Sequence, residues 1–470
     1  MSCHRQLFEF MVGKVTKHHF LWNNLSIRMS SNQSSKVIAI GQMCATNNKA
    51  DNMRQVEELF AKAKMQCATF LFLPECCDFV GEHRKQTLEL SEPLDGATMN
   101  KYKELAKTHR MWLSLGGIHE SILDENKCKT EKIYNTHVLL NDIGEVVSFY
   151  RKLHLFDVET EEMRFRESDV VNPGTHMVPP VNTPIGLLGM QICYDLRFGE
   201  ASSILRKSGA QVLTYPSAFA YSTGKAHWEI LLRARAIENQ CYVIAAAQIG
   251  AHNSKRTSWG HGLIVDPWGK VLANCENENL AVATAEIDLN KNASVRRNMP
   301  VLHHKRNDVY SLTAFGMGII DITQDWKFAN NTIRKETIFY ETEHCFAFTN
   351  LRCVVKGHVL VSTKREMKRL DNLLCHEMCD LFCTVCKIQR MLEDFYGTTS
   401  ATVTVQDGPD AGQTVPHVHF HIMPRRPGDF SENDHIYTRM DDRCLDQPDR
   451  SIEDRIAEAQ KYRDFIKRQY

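Results

Sequence analysis

Between residues 36 and 310, continuous apolar runs alternate with stretches whose apolar positions recur every three or four residues. "KVIAIGQM" opens the series as a strand. Residues 52–65 then place Met53, Val56, Leu59, Phe60 and Ala63 at helical spacing. "CATFLFLPE", a further apolar run, is stopped by proline, and "MWLSLGGIHE", "NTHVLLND", "EVVSFYRKL", "IGLLGMQIC", "AQVLTYPS", "QCYVIAAAQ" and "HGLIVDPWG" repeat the pattern. Helices fit around 200–207 and 228–239. Strands apolar on both faces, alternating with helices, predict a layered α/β domain. The segment "THVLLNDIGEVVSFYRK", turning at Asp142–Gly144, reads as a hairpin, so the sheets are expected to be mixed.

Periodicity fades over 311–330, and a different order follows. "TIFYETEHCFAFTN" reads as a hairpin and "GHVLVST" as a strand. A helical stretch over 366–395 places Leu370, Leu374, Met378, Leu381, Val385, Ile388 and Leu392 on one face. "ATVTVQDG" and "PHVHFHIM" are two more strands, and 452–466 suits a terminal helix. The predicted organisation is an extension over 1–34, an α/β domain over 35–315, a linker over 316–327, an α+β domain over 328–440, and a tail with a helix over 441–470.

A chain of 470 residues supports two or three such cores. No apolar run approaches the roughly 18–20 residues a membrane helix needs. The 57 basic and 57 acidic residues balance, so no net field attracts a nucleic acid. The 16 cysteines are scattered, often within apolar runs, which reads as reduced thiols of a cytoplasmic protein. Residues 1–34 hold Arg5, Lys14, Lys17 and Arg28 against a single acid, Glu9, with Met29 following. That composition suits a mitochondrial transit peptide as well as an unstructured extension, and a start at Met29 leaves a cytosolic form.

Three polar residues interrupt or end strands of the first domain: Glu75 after "FLFLP", Lys152 after "VVSFYR", and Cys193 after "LLGMQI". Strand ends converge at the rim of a layered sheet, where sites form. A free thiol, with a pKa of about 8.5, needs a base to act at neutral pH, and a carboxylate can serve. A lysine can stabilise the oxyanion on an attacked carbonyl. The three therefore make an acyl-transfer set that uses no histidine. The segments "FLFLPECCDF", "YRKLHLFD" and "QICYDLRFGE" resemble signatures of the carbon–nitrogen hydrolase (nitrilase) superfamily. So do "LSLGGIHE", "LTYPSAF", "HWEILLRARAIENQCYVIAAAQ" and "DPWGKVLA", in order, over about 36–310.

That resemblance implies a four-layer αββα sandwich. It makes Cys193 the nucleophile, Glu75 the general base and acid, Lys152 the oxyanion stabiliser, and the backbone N–H of Tyr194 a second oxyanion donor. A thioester forms, ammonia leaves, and a Glu75-activated water releases the acid. A further glutamate near the lysine is best matched by Glu167, with Glu159, Glu161 and Glu162 as neighbours in sequence. Cys76 and Cys77 read as packing residues. "SLGGIHE" and "TYPSAFAYSTGKAHWE" resemble the animal branch whose members are amidases on deaminated glutathione, rather than true nitrile hydrolases.

In "PHVHFHIM", a strand puts His417, His419 and His421 on one face and Val418, Phe420 and Ile422 on the other. A zinc site, a histidine nucleophile with helpers, and a solvated polar face are all compatible with that row. His358 opens another strand, and "QDGPDAGQTV" offers glycine-freed N–H groups to an anion, which favours phosphate chemistry. The pattern H-V-H-F-H-I-M, with "GHVLV", "FTN", "VQDGPDAGQTV", "PRRPGDF" and "NDHIY", resembles the fragile-histidine-triad branch of the histidine triad family over about 328–440.

That branch hydrolyses dinucleoside polyphosphates, preferring diadenosine triphosphate, to AMP and ADP. The resemblance makes His419 the nucleophile of a covalent adenylyl intermediate, with His358, His417 and His421 orienting and polarising it. Asn350 would meet the ribose. Gln406 and the loop Gly412, Gln413, Thr414, Val415 would meet phosphates, and Tyr437, on a loop, would lie near the leaving side. No protein-bound metal or cofactor is implied, although the nucleotide carries Mg2+ or Mn2+. Cys375, Cys379, Cys383 and Cys386 mimic a metal-ligand spacing but are expected on the buried face of the helix.

The whole chain resembles the invertebrate fusion of these two families. A bifunctional enzyme acting on small amides and dinucleoside polyphosphates is expected, self-associating as a tetramer. The alternative is a nucleotide-binding signalling module joined to an inactive nitrilase-like scaffold.

Overall fold

A computed structural model describes residues 36–159, 164–306, 310, 312, 322–440 and 449–469. The expected extension over 1–34, and Glu161 and Glu162, lie outside them. In the first domain the chain runs through β1 (Lys36–Met43), α1 (Lys49–Met65), β2 (Phe70–Phe72), α2 (Ala97–His109), β3 (Trp112–Leu123), β4 (Lys129–Leu140) and β5 (Val146–Arg151). It continues through β6 (Val181–Thr183), β7 (Gly186–Met190), α3 (Gly199–Lys207), β8 (Val212–Thr214), α4 (Tyr221–Asn239) and β9 (Tyr242–Ala245). The series ends with β10 (Ala247–Ala251), β11 (Thr257–Trp259), β12 (Leu263–Val265), β13 (Val271–Asn274) and β14 (Ala281–Ile287).

Two mixed sheets result. One runs β11-β10-β1-β2-β3-β4-β5, with β14 also on β1; the other runs β13-β12-β9-β8-β7-β6. Their stacking follows from the two-residue period of a strand. Ile38, Ile40, Phe70 and Phe72 join Leu188, Met190 and Val212 of the second sheet. The alternate residues Ala39, Leu71 and Leu73 meet Leu59 and Phe60 of α1 and Tyr102 of α2. Leu205 of α3 and Trp228, Leu232 and Ala236 of α4 pack with the second sheet. This is the four-layer αββα order.

Local chemistry sets the helix bounds. The Asn48 side chain accepts from the N–H groups of Ala50 and Asp51, so α1 starts ahead of the expected 52. Helix α4 starts at Tyr221 rather than 228; its polar first turns carry no apolar stripe by which the sequence would show them. Its Gly224 is required by packing: a Cβ there would lie 2.3 Å from the Trp259 side chain.

The second domain has β15 (Trp326–Phe328), β16 (Asn331–Ile333), β17 (Ile338–Glu341), β18 (Cys345–Thr349), β19 (Val359–Thr363), α5 (Cys375–Tyr396), β20 (Ala401–Val405), β21 (His419–Pro424), α6 (His435–Met440) and α7 (Ile452–Gln469). Its five-stranded sheet runs β17-β18-β19-β21-β20, and β15 and β16 form a separate ladder.

Four expectations are corrected here. The expected linker 316–327, whose residues 316–321 lie outside the described set, runs into β15. Trp326 donates from its indole N–H to Glu341 and stacks on Phe346, so it belongs to the second domain. The C-terminal helix is not a tail, because Ala459, Tyr462 and Ile466 share a core with Leu381, Ile388 and Leu392. The helical stretch 366–395 begins only at Cys375, after a short turn at Leu370–Asn372.

The fourth correction concerns the cysteines of α5. Cys375, Cys379 and Cys386 are exposed and Cys383 is half-buried, not on the buried face. Cys379, Cys383 and Cys386 each sit two residues before Leu381, Val385 and Ile388, about 200° round the helix from the core.

Replacing Tyr462 by alanine empties a fully buried ring site between α7 and the sheet. The expected loss is about 3–5 kcal/mol, read as a lower denaturation midpoint of the second domain. A change below about 0.5 kcal/mol, the range of ordinary surface substitutions, would return α7 to the status of an appendage. Among the described residues, no helix is long and apolar enough to cross a membrane.

Candidate active sites

Cys193 starts a single 3-10 turn, Cys193–Arg197, immediately beyond β7. Its φ is +44°, a left-handed conformation that costs free energy in a side-chain-bearing residue. The surroundings impose it. Cys193 N–H donates to the Pro216 carbonyl at 2.9 Å, and Ile192 N–H donates to the Asp195 carboxylate at 2.9 Å. Asp195, fully buried, also accepts from the Tyr150 hydroxyl (2.8 Å), His154 N–H (3.1 Å) and the His154 ring (2.7 Å). Asp195 is thus the pin of the Cys193 turn, a positioning residue that the sequence pattern does not single out. The N–H of Tyr194 lies in the first turn, where backbone donors have no partner along the helix.

Glu75 follows β2 and Pro74, and Lys152 follows β5, so the strand ends bring both to Cys193. Lys152 Nζ donates to Glu75 Oε1 at 2.9 Å and to the two oxygens of Glu167 at 3.0 and 2.9 Å. Glu167 also receives Phe156 N–H at 2.7 Å. Glu159 pairs with Arg166 at 3.9 Å instead, so of the described candidates Glu167 is the glutamate beside the lysine. Asn135, on β4, donates to Glu75 at 2.9 Å and to Glu167 at 3.2 Å. Ala218 N–H donates to the other Glu75 oxygen at 2.9 Å. Cys76 and Cys77 are buried in the apolar cluster behind the site, as expected.

The electrostatics define the resting proton positions. Burial pushes the Cys193 thiol well above its ordinary pKa, and the Glu75 charge adds to the rise. Burial alone would raise Glu75 as well, but the Lys152 charge and hydrogen bonds from Cys193, Lys152 and Ala218 outweigh it and hold the carboxyl below its usual range. Burial opposes the Lys152 charge, yet Glu167 and Glu75 raise its pKa well above the ordinary value. The site rests as thiol, carboxylate and ammonium. A thiol within hydrogen-bonding reach of a carboxylate gives up its proton as its sulfur attacks.

Asn135→Ala leaves the three chemical groups in place but removes one hydrogen bond from each carboxylate. An expected fall of roughly 10- to 100-fold in kcat, with KM changed less, would be read in steady-state amide hydrolysis. An unchanged kcat with a lowered melting temperature would assign Asn135 a structural part only.

The histidines of the second domain are also brought together, by a different device. His419 Nδ1 lies 2.6 Å from the carbonyl oxygen of His417. A carbonyl only accepts, so Nδ1 carries the proton and Nε2 keeps its lone pair. The His417 ring accepts Ala329 N–H at 3.1 Å and donates to the Thr363 carbonyl at 2.8 Å. His417 therefore acts on His419 through its backbone, while its ring clamps the strand. Phe328 stands edge-on to His419 at 5.1 Å.

A relay of tautomers crosses the other two. Val354 N–H points at His358 Nδ1 (3.2 Å), which makes that nitrogen an acceptor and His358 Nε2 a donor. His358 Nε2 lies 2.9 Å from His421 Nδ1, so His421 Nε2 carries a hydrogen. That N–H is buried without a partner among the described residues, 5.0 Å ring to ring from His419. It is an unspent donor beside His419.

Burial lowers the pKa of all four histidines; His358 is brought to about 3 by burial and by His419, and His421 falls well below the ordinary value. The unfolded chain therefore binds protons near pH 6.5 that the folded domain does not accept. Stability is full above that pH and is lost as pH falls through the window from about 6.5 towards 3. A slope of roughly 1.4 kcal/mol per pH unit per histidine is expected in denaturant titrations of the second domain. His358→Gln is expected to flatten it; an unchanged slope would contradict the buried neutral relay.

The expected substrate residues are placed less uniformly. Asn350 Nδ2 approaches both ring nitrogens of His358 at 3.3 Å, beside the row. The Gly412 backbone lies against the Gln406 amide, where an added Cβ would stand 2.8 Å from Nε2. Gln413 braces its own loop, accepting Gly408 N–H and donating to the Lys368 carbonyl. Thr414 is exposed, and Val415 packs on the Phe328 cluster. Tyr437 sits exposed on α6 rather than on a loop.

The carbon–nitrogen hydrolase family matches residues 37–297 and the HIT domain family residues 331–428. The nitrilase and fragile histidine triad fusion protein of Drosophila melanogaster is 60% identical over 448 residues, spanning 95% of this chain and 96% of that one. The deaminated glutathione amidase of Rattus norvegicus is 50% identical over 275 residues, 58% of this chain and 83% of the relative. The crystal structure of the Caenorhabditis elegans fusion protein, 45% identical, superposes with a TM-score of 0.75 over 92% of this chain and 99% of that one. With both families matched in order along one chain and a relative matched almost end to end, the chain belongs to the nitrilase–fragile histidine triad fusion family.

Proposed function

We propose that the chain carries two independent hydrolases. The second domain cleaves diadenosine triphosphate to AMP and ADP. His419 Nε2 attacks the α-phosphorus, the bond from phosphorus to the bridging oxygen breaks, and ADP leaves. Water then releases AMP from the adenylyl-histidine. The observation that carries this reading is the hydrogen bond from His419 Nδ1–H to the His417 carbonyl, which aims an unprotonated Nε2 outward. The unpaired His421 N–H suits a phosphate or leaving-group oxygen. Asn350, Gln406 and the 412–415 loop take the ribose and phosphates. The step needs no protein-bound metal, and Mg2+ or Mn2+ enters with the nucleotide. In oxygen-18 water the label is expected in AMP alone; label in ADP would reject attack at the α-phosphorus.

The first domain is an amidase on a small amide of the deaminated-glutathione kind. Cys193 sulfur attacks the carbonyl as Glu75 takes the thiol proton. Lys152 Nζ and Tyr194 N–H stabilise the oxyanion, the amine leaves with the proton from Glu75, and a Glu75-activated water hydrolyses the thioester. The neutral thiol beside an ionised, triply hydrogen-bonded Glu75 supports this order. The similarity to deaminated glutathione amidases supports the substrate class. Absence of turnover on deaminated glutathione, with retained acylation by a small amide, would keep the chemistry and reject the substrate. The subunits associate as a homotetramer, which sedimentation of the purified chain tests.

A further inference from the structure

Away from both nucleophiles, two imidazoles and a carboxylate converge where the β17–β18 turn meets the first turn of α5. One ligand atom each from His344, His376 and Glu377 lies within 4.8 Å of the others. The imidazole rings of His344 and His376 are 4.7 Å apart, centre to centre. His344 Nε2 is buried without a hydrogen-bond partner among the described residues, and a carboxylate oxygen of Glu343 stands 3.6 Å away. An orphaned buried ring nitrogen costs free energy unless something uses it.

Glu377 is almost wholly buried and held by Arg365 through both oxygens and by Leu374 N–H. Two carboxylate oxygens offer about four lone-pair positions, so these contacts orient Glu377 without exhausting it. His344 is oriented in turn by Asp380, which accepts its backbone N–H at 2.9 Å. Lys207 pairs with Glu343 at 2.9 Å, so the neighbouring cations are matched by carboxylates rather than left facing the imidazoles.

We propose that His344, His376 and Glu377 bind one divalent transition-metal ion of the zinc class, pinning the β17–β18 turn to the start of α5. Two imidazole nitrogens and one carboxylate oxygen suit a borderline ion such as Zn2+, with a water in the fourth position, and disfavour the all-oxygen ions Ca2+ and Mg2+. Both nucleophiles lie elsewhere, so the ion serves structure and neither hydrolysis depends on it.

The test is calorimetric titration of the full-length chain with Zn2+ alone, repeated with Co2+ by absorption. One Zn2+ per chain is expected at this site, weakened at least tenfold by His344→Ala and by His376→Ala. Zn2+ should raise the Tm of the second domain, and His376→Ala should cancel that shift while leaving both hydrolytic activities unchanged. Co2+ should give visible bands without thiolate charge transfer. Three results would each overturn the proposal: no Zn2+ uptake, uptake insensitive to both substitutions, or a Co2+ spectrum with thiolate charge transfer. The last would assign the ion to the exposed Cys375, Cys379 and Cys386 thiols of the same helix.

Discussion

Cys193→Ala is expected to lower amide hydrolysis by roughly 10^4-fold or more while leaving diadenosine triphosphate hydrolysis at its full rate. Lysine and glutamate without the sulfur can polarise a carbonyl but cannot form the thioester, so no acyl intermediate accumulates. The substitution is a clean one structurally. Alanine tolerates the +44° φ about as poorly as cysteine, so the local strain is nearly unchanged. The Asp195 network that holds the turn uses no atom of the thiol. Glu75 loses the thiol hydrogen bond but keeps those from Asn135, Lys152 and Ala218, so the melting temperature should hold within a few degrees. Full amidase activity in this variant would mean that the first domain is a scaffold and that any hydrolysis arises elsewhere.

His419→Asn is expected to abolish hydrolysis of diadenosine triphosphate, by roughly 10^4-fold or more, and to preserve its binding. An asparagine amide can donate to the His417 carbonyl as the imidazole does, which keeps strand β21 and the neighbouring rings in place. What it lacks is the outward lone pair of Nε2. The separation of binding from turnover makes this variant the sharper of the two. If a cellular effect of the chain survives in it, the bound dinucleotide rather than its cleavage carries the signal. If binding is lost together with turnover, His419 contributes to the pocket as well as to the bond-making step. Amide hydrolysis should be unaffected, because the hydrogen bonds that hold Glu75 and Lys152 come from Asn135, Glu167 and Ala218, all of the first domain.

The two sites were legible to different depths. Cys193, Glu75 and Lys152 stand at the ends of apolar strands, where polar side chains break the pattern visibly, and the segments around them resemble one family in order. Asn135 and Asp195 were equally close to the chemistry and were missed. Asn135 interrupts the apolar strand "NTHVLLND", a weak signal, and Asp195 looks like any acidic turn residue in "CYDLR". Only burial, with four donors converging on one carboxylate, separates Asp195 from its exposed counterparts. In the second domain the alternation of "HVHFH" placed the imidazoles correctly, but not the direction of their protons. Those follow from Ala329, Val354 and Thr363, which bear no mark of the site in the sequence.

The cysteines of α5 show the opposite error. An apolar residue type at helical spacing was assigned to the core, yet a helix has only one buried face, and Leu381, Val385 and Ile388 already occupy it. Composition placed those thiols inside; the angular position put them out.

By itself the sequence determined the two-domain order, the layered α/β class and which polar side chains gather at each candidate site. These rest on local periodicity and on motifs whose residues lie close together along the chain. The tertiary structure decided where the second domain begins and that its last helix belongs to it. It also decided which glutamate meets Lys152, how Cys193 is held in a left-handed turn, and which ring nitrogen of each histidine carries hydrogen. Each of those depends on groups far apart in sequence meeting in a low-dielectric interior, where an unpaired charge or donor is costly and the partner therefore dictates the chemistry.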